Sequence, residues 1–549
     1  MGVSERLKQQ AVTLELERSR VRAIGRRGLI QTGAAFSAGC IFGIPFEVAA
    51  QAAKGGVLVI GSTQAPRHLN SAVQSGIATM LPAAQLFASP IRMNKDWKAQ
   101  PYLAESWTLS PDNRSVTLVL RKDAVFHDGK PITAEDIKFS IETIRDNHPF
   151  KTMYGPVNAV TISNPQTAVI RLSEPHPAVL LALSTSLTPI IPKHIFGDGT
   201  DVKIHPRNAS PVGSGPFRLV EFKPGEHIVM ERFDRFFLKG YPRLDRIIVR
   251  LFKDSSSLLL AFERGEVDMQ SVTDPRELTR IRKTPGVQVV KGAAPAIGPL
   301  VWLAFNTKNP KLADKRVRQA INFAIDKKYI LETILGGINN RATGPLAGGS
   351  PFYNSEVEKY ELNLTKATQL LNEAGLKPNA NGVRLTLDLD APPGNADQKT
   401  IQEYLKPSLA KIGVELNIRQ SPDFPSWARR VASLQFEMTL DAVWNWGDPV
   451  IGVHRTWLSS NIKPGVIWSN TQSYSNPKVD EWLAAAGQEM NLAKRKELYK
   501  QVQKTVVDDC PVAFLYEQTF YEAYSSKVVN APSGIWGQID GITEMTVKA

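Results

Sequence analysis

The sequence predicts a mixed α/β protein built from more than one lobe. Its 549 residues exceed what a single hydrophobic core ordinarily organises. Apolar runs of strand type alternate along the chain with helix-type patterns, and no repeat suggests a solenoid. Hydrophobic residues at 42% and charged residues at 22% are ordinary globular values, so the chain can bury its apolar surface without extensive disorder.

Taken in order, Val57-Leu58-Val59-Ile60 reads as a strand running into the turn-rich segment Gly61-Ser62-Thr63-Gln64-Ala65-Pro66. Further strands are expected at Val116 to Leu120, Ala168 to Leu172, Ile228 to Met230 and Ile247 to Val249. Thr133 followed by Asp136 is a hydroxyl cap with an acid three positions on, and Ile137, Ile141 and Ile144 follow at helical spacing. Asp314 caps a second helix with Val317, Ile321, Ala324 and Ile325 buried, and Lys315, Arg316, Arg318 and Gln319 in water. Leu364, Ala367, Leu370, Leu371 and Ala374 define a third, stopped by Gly375. Asn476-Pro477 opens a fourth, with Trp482, Leu483 and Ala486 inward.

Several classes of function lack their residues. The net charge of +13 is spread along the chain and forms no basic stripe interleaved with aromatics, so no nucleic-acid partner is expected. Cys40 and Cys510 are the only cysteines, which leaves no disulfide framework and no cysteine metal cluster. The eight histidines stand singly; no His-Glu-x-x-His pair, Gly-x-Ser-x-Gly turn or dinucleotide glycine fingerprint is present. No metal, cofactor or catalytic residue is therefore expected.

The first 53 residues have the order of an export signal. A polar stretch precedes Gly25-Arg26-Arg27-Gly28-Leu29-Ile30, a glycine-diluted apolar run reaches Phe46, and small residues follow at Ala49-Ala50-Gln51-Ala52-Ala53. This resembles a twin-arginine leader. Gly33, Gly39, Gly43 and Pro45 weaken the rival reading of a spanning helix, which needs about 17 to 25 apolar residues. The box Ser37-Ala38-Gly39-Cys40 loosely resembles a lipidation site, but the apolar run continues beyond it. A soluble periplasmic protein, cleaved near Ala52-Ala53, is the expectation.

Three segments in sequence order resemble the family 5 extracellular solute-binding proteins, the peptide/nickel/opine type. They are Phe126-His127-Asp128-Gly129-Lys130-Pro131-Ile132-Thr133-Ala134-Glu135-Asp136-Ile137-Lys138-Phe139; Val212-Gly213-Ser214-Gly215-Pro216-Phe217-Arg218-Leu219 with Pro224-Gly225-Glu226; and Leu303-Ala304-Phe305-Asn306-Thr307 with Asp314 to Ile321. Each reads physically as scaffold. Asp128-Gly129 is a turn, and Gly213, Gly215 and Pro216 shape a chain reversal, because no Lys-Ser/Thr follows to make a phosphate loop.

The resemblance implies a type II periplasmic-binding-protein-like bilobal α/β fold with an extra inserted lobe. Lobe I would comprise 54–95, 210–305 and 515–549, lobe II 96–209 and lobe III 306–514. Hinge crossovers would lie near Phe305-Asn306 and Leu515-Tyr516. It further implies a monomeric substrate-binding component of an ABC-type importer, which captures a peptide-like, opine-like or other small polar solute. Delivery would be to inner-membrane permease and ATPase subunits. A periplasmic enzyme acting on a small ligand, and a sensor docking to a receptor on the same scaffold, are the alternatives.

The ligand site implied by the resemblance centres on Trp444-Asn445-Trp446-Gly447-Asp448-Pro449. Peptide-binding relatives place there an aspartate for the ligand's ammonium. Aligned on Gly-Asp-Pro that position is Asn445, a neutral amide that does not compensate a desolvated charge, unless Asp448 substitutes for it. Trp444 and Trp446 alternate as if on one side of an extended segment, suited to stacking on a flat ligand. Arg67 and His68, in the loop Thr63 to Asn70, are candidates for an anionic group. Tyr353, in the loop Gly344 to Tyr353, is a candidate aromatic contact.

Overall fold

The computed structural model describes residues 55–393 and 396–548; the leader, its cleavage point and Cys40 lie outside the described residues. Three sheets organise the chain, and each is named here with the helices on it as a lobe. The seven-stranded sheet of lobe I runs, in spatial order, Val287–Lys291, Tyr521–Ser525, Met269–Val272, Val57–Ser62, Arg246–Leu251, His227–Arg232 and Phe217–Lys223. Lobe II holds a four-stranded antiparallel sheet, Ala104–Leu109, Ser115–Leu120, Thr167–Leu172 and Val157–Asn164, covered by the helix Ala134–Asn147. Lobe III holds six strands in the order Asn340–Arg341, Val512–Glu517, Pro299–Phe305, Met438–Trp444, Leu385–Ala391 and Val414–Gln420. All five strands expected from the sequence form.

Helix starts follow the local chemistry. Asp136 Oδ2 accepts from the backbone N–H of Thr133 at 2.9 Å and from its hydroxyl at 3.0 Å, fixing the start of Ala134–Asn147. Asp314 accepts from Arg316 N at 2.8 Å, and Asn476 from Lys478 N at 3.0 Å. The helix Leu364–Glu373 ends where Gly375 turns to a φ of 80°. Arg318 departs from expectation. It is buried, and its guanidinium donates to the carbonyls of Leu312, Ala313, Asp509 and Cys510, two of them at the end of the helix Leu492–Asp509. Helix ends leave carbonyls without partners, and Arg318 satisfies them from a neighbouring element.

The family-like segments are scaffold that clasps itself. Gly213 N donates to His127 Nδ1 at 3.1 Å, so His127 Nε2 carries the proton and donates to Gly215 O at 3.1 Å. A Cβ on Gly213 would stand 1.8 Å from Leu86 O, and one on Gly215 2.4 Å from Gln85 O. Both glycines exist because this strand entry lies against the end of the helix Ile77–Leu86.

Lobes I and II share one apolar core, whereas lobe III has its own around Trp302, Trp457, Leu440 and Phe514. Lobe III sends Trp446 and Ile451 into the shared core. The chain passes between the two large sheets at 292–298 and 518–520. The expected hinge at Phe305-Asn306 is thereby moved: Pro299–Phe305 is a central, wholly buried strand of the lobe III sheet, paired on both sides, and cannot act as a pivot. Val512–Glu517 likewise belongs to that sheet, which puts the second crossover after Tyr516. The crossovers run side by side, with Gly292 N donating to Phe520 O at 2.9 Å and Gln518 N to Pro299 O at 3.1 Å.

Candidate functional site

In lobe III the strands Leu385–Ala391, Val414–Gln420 and Met438–Trp444 point the same way, and in lobe I Val57–Ser62 and Met269–Val272 do. Ligands of open α/β sheets sit beyond the carboxyl ends of such strands. The segment Trp444 to Asp448 leaves one of these ends and crosses toward the other lobes. Asn445 N donates to Ile297 O at 3.0 Å, and Gly447 N to Ala296 O at 2.6 Å. Both ends of the Asn445 amide are engaged: Oδ1 accepts from Ala347 N at 2.7 Å and Nδ2 donates to Pro345 O at 3.3 Å. Asn445 thus braces the loop Gly344 to Tyr353, bringing together two segments singled out in the sequence.

Trp444 and Trp446 do not share one side of an extended segment. Trp446 has a φ of 51°, in the left-handed region, and its ring turns into the shared core of lobes I and II. There it lies 4.9 Å from Phe150 and 6.4 Å from Trp536, between centroids, with an indole N–H that meets no acceptor. Trp444 stays half-buried at the strand end.

Asp448 is committed elsewhere. Its two oxygens accept from Arg495 Nη1 and Nη2 at 2.6 Å each, both side chains being buried, and Oδ1 also accepts from Val450 N at the start of a short helix. Burial pushes against the charge, but the Arg495 guanidinium holds the carboxyl below its ordinary range. It cannot also stand in for a missing ammonium partner.

In the lobe I loop Arg67 is exposed, while His68 is half-buried. His68 Nδ1 accepts from Asn70 N at 3.2 Å, and burial, then the charge of Arg67, lowers its pKa. Tyr353 is half-buried with its hydroxyl 2.9 Å from Thr343 Oγ1.

Two charged residues that the sequence did not single out flank this segment in the chain, Asp441 on the strand before it and Arg455 on the short helix after it. Asp441 lies one strand alternation back from Val443 and two from Asn445. Its Oδ1 accepts from Ala442 N at 2.7 Å and from Trp468 Nε1 at 3.1 Å. Burial pushes its pKa up to about 7. Arg455, on the short helix His454–Trp457, places its guanidinium 5.2 Å from the ring centroid of Phe150 in lobe II. Burial lowers its pKa to about 10 against the pull of Asp441. A charge four residues before Asn445 inside the apolar run Met438–Trp444 was a visible signal; for Arg455 there was none, since Phe150 is remote in sequence. Among the described residues no three of His, Cys, Asp and Glu gather as metal ligands would.

The model of the bacterial extracellular solute-binding proteins, family 5 (middle), matches residues 98–465. The chain belongs to that family. Heme-binding protein A of Haemophilus influenzae is 30% identical over 439 residues, covering 75% of this chain and 78% of the relative. Glutathione-binding protein GsiB of Shigella flexneri is 25% identical over 528 residues, covering 94% and 97%. Among solved structures, NikA from Brucella suis in complex with Fe(III)-EDTA superposes with a TM-score of 0.79 at 25% identity, covering 90% of this chain and all of that one. As a family 5 member the protein is an extracytoplasmic substrate-binding component of an ABC-type importer, a transport protein that binds a small solute and docks with permease and ATPase subunits.

Proposed function

We propose that the protein captures a peptide-like solute between lobe III and the joined lobes I and II, in the periplasm, after removal of residues 1–53. The observation that carries this reading is the segment Trp444 to Asp448, which leaves a strand end of lobe III, braces the loop Gly344 to Tyr353 through Asn445, and reaches Phe150 and Trp536 of the opposite lobes. A ligand lying beyond that strand end meets Trp444, the loop bearing Tyr353, and the lobe I loop bearing Arg67 and His68. Relatives named for oligopeptides and for glutathione support the peptide-like reading, beside one named for heme. The chain acts as a monomer and leaves its ligand unchanged.

A thermal-shift screen over short peptides, glutathione, opines and sugar conjugates tests this. A ligand present at a hundred times its Kd stabilises the folded state by about 2.7 kcal/mol, so a binder raises Tm by several degrees. Mass spectrometry of the same incubations reads turnover, and a compound returned chemically altered would turn the reading into that of an enzyme. Intact mass of the exported protein checks the leader, since a lipid at Cys40 contradicts cleavage near Ala52-Ala53.

A further inference from the structure

Three of the eight histidines have a carboxylate that can receive their added charge: His194 lies 2.7 Å from Asp128, His205 3.3 Å from Asp198 and His227 2.9 Å from Glu221. Three others differ. His148 and His176 of lobe II and His454 of lobe III are 1%, 1% and 8% exposed, and none is hydrogen-bonded to a carboxylate.

All three lie beneath the contact between lobes II and III. His148 Nδ1 accepts from Phe150 N at 2.9 Å, and His176 Nε2 donates to Met153 O at 2.8 Å. These two bonds pin the ends of the segment Phe150 to Met153, and Phe150 is the ring that meets Trp446 and carries the Arg455 guanidinium on its face. Just after His176, the short helix Val179–Ala182 brings Leu181 so near lobe III that a Cβ on Gly447 would stand 2.7 Å from its Cδ2. Just before it, Glu174 accepts from Gln488 of lobe III at 2.8 Å. On the lobe III side, the Tyr499 hydroxyl accepts from Arg495 Nη2 at 3.3 Å and donates to His454 Nε2 at 2.9 Å, while Arg495 closes on Asp448.

Each of these bonds requires a neutral ring. A proton on His148 Nδ1 would meet the Phe150 N–H, donor against donor. One on His176 Nδ1, a sealed atom with no partner, would have no acceptor. One on His454 Nε2 would displace the Tyr499 hydroxyl and add a cation beside Arg495. Asp448 and Arg495 are the charged groups that face His176 and His454, and the Asp448 carboxylate is already taken by Arg495; the Gln74 backbone of lobe I faces His148. Burial lowers the pKa of all three rings, those of His148 and His454 to about 3.

We propose that His148, His176 and His454 make the junction of lobes II and III a proton-sensitive clasp: the joined arrangement admits only neutral imidazoles, so acidification frees lobe III and lets a captured solute go. Release of solute rests on the interlobe capture reading; the clasp itself does not. Above the ordinary imidazole value of 6.5 the rings are neutral whether the lobes are joined or apart, and the junction keeps its full strength. Below it, separated lobes take up protons that the joined ones refuse, so opening gains about tenfold per pH unit for each ring that opening exposes. The buried carboxylates Asp441, Glu522 and Asp540, which hold protons in the folded protein above their ordinary range, work in the opposite direction.

The test follows the ligand-free chain from pH 8 to pH 4.5 by small-angle X-ray scattering and far-ultraviolet circular dichroism. The expected result is a constant radius of gyration above pH 6.5 and a rising one below it, with the helical signal unchanged. His148→Gln, His176→Gln and His454→Gln each leave a neutral polar side chain, and each should make the opening less steep by about tenfold per pH unit. A radius that stays constant to pH 4.5, or that grows only as the helical signal is lost, overturns the clasp. An unchanged pH dependence in all three folded variants overturns it as well. Acid opening as expected, with no compound of the thermal-shift screen bound at any pH, counts against capture and leaves the clasp standing.

Discussion

At the scale of single residues, the outcome is set by which buried charges are paired. Asp448 and Arg495 form a bidentate, solvent-shielded pair, and removing one partner strands the other. Asp448→Ala should cost about 3–5 kcal/mol in urea unfolding. Asp441 carries the opposite lesson. Its folded pKa of about 7 lies above the ordinary 3.8, so the native protein holds a proton that the unfolded chain has already released. The stabilisation from this group is complete below about pH 4 and drains away as pH rises through 7. Asp441→Asn, having no charge to bury, should gain Tm over the parent progressively from pH 4 to pH 7 and hold that gain above it. At 1.36 kcal/mol per pKa unit the ceiling is about 4 kcal/mol. Glu522 and Asp540, raised by burial to about 7 and about 6, will slope the parent's own profile the same way.

At the scale of elements, much was legible because helix starts and strand alternation are written locally. Asp314 and Asn476 cap helices with their own side chains, Asp136 closes back onto Thr133, and no distant part of the chain is needed to see it. What was misread depends on neighbours. Arg318 looked solvated because helical spacing says nothing of another helix ending beside it. Trp446 looked parallel to Trp444 because a residue's φ is invisible in a two-residue alternation. The strand Pro299–Phe305 was given to the wrong sheet, since an all-apolar run does not reveal its partners. The glycines of Val212 to Leu219 were read as a chain reversal, and the close approach behind it is now explicit. Gly213→Ala must push Leu86 O from 1.8 Å, and should lose about 1–3 kcal/mol by chemical denaturation.

At the scale of the whole molecule, lobes I and II share a core, and lobe III joins them through two hydrogen-bonded crossovers, so the proposed capture reading expects lobe III to be the part that moves. Specific side chains meet across that junction. Trp446 lies among Phe150 and Trp536, Arg455 faces Phe150, and Gln488 Nε2 donates to Glu174 Oε2 at 2.8 Å. Truncating a buried tryptophan typically costs about 3–5 kcal/mol. Here that loss falls mainly on the joined arrangement, since Trp446 belongs by chain to one lobe and by packing to the others. Trp446→Ala should therefore open the ligand-free protein, read as a larger radius of gyration in small-angle X-ray scattering with each lobe's secondary structure unchanged.

The position of Tyr521–Ser525 bears on how the protein is made. This strand is threaded between Met269–Val272 and Val287–Lys291, which precede it by more than two hundred residues. Until the chain has been made through Ser525, those two earlier strands lack the partner that lies between them, and an unpaired strand edge is a template for any extended polypeptide nearby. A product lacking this insert should self-associate, which light scattering of a chain ending before Tyr521 would read.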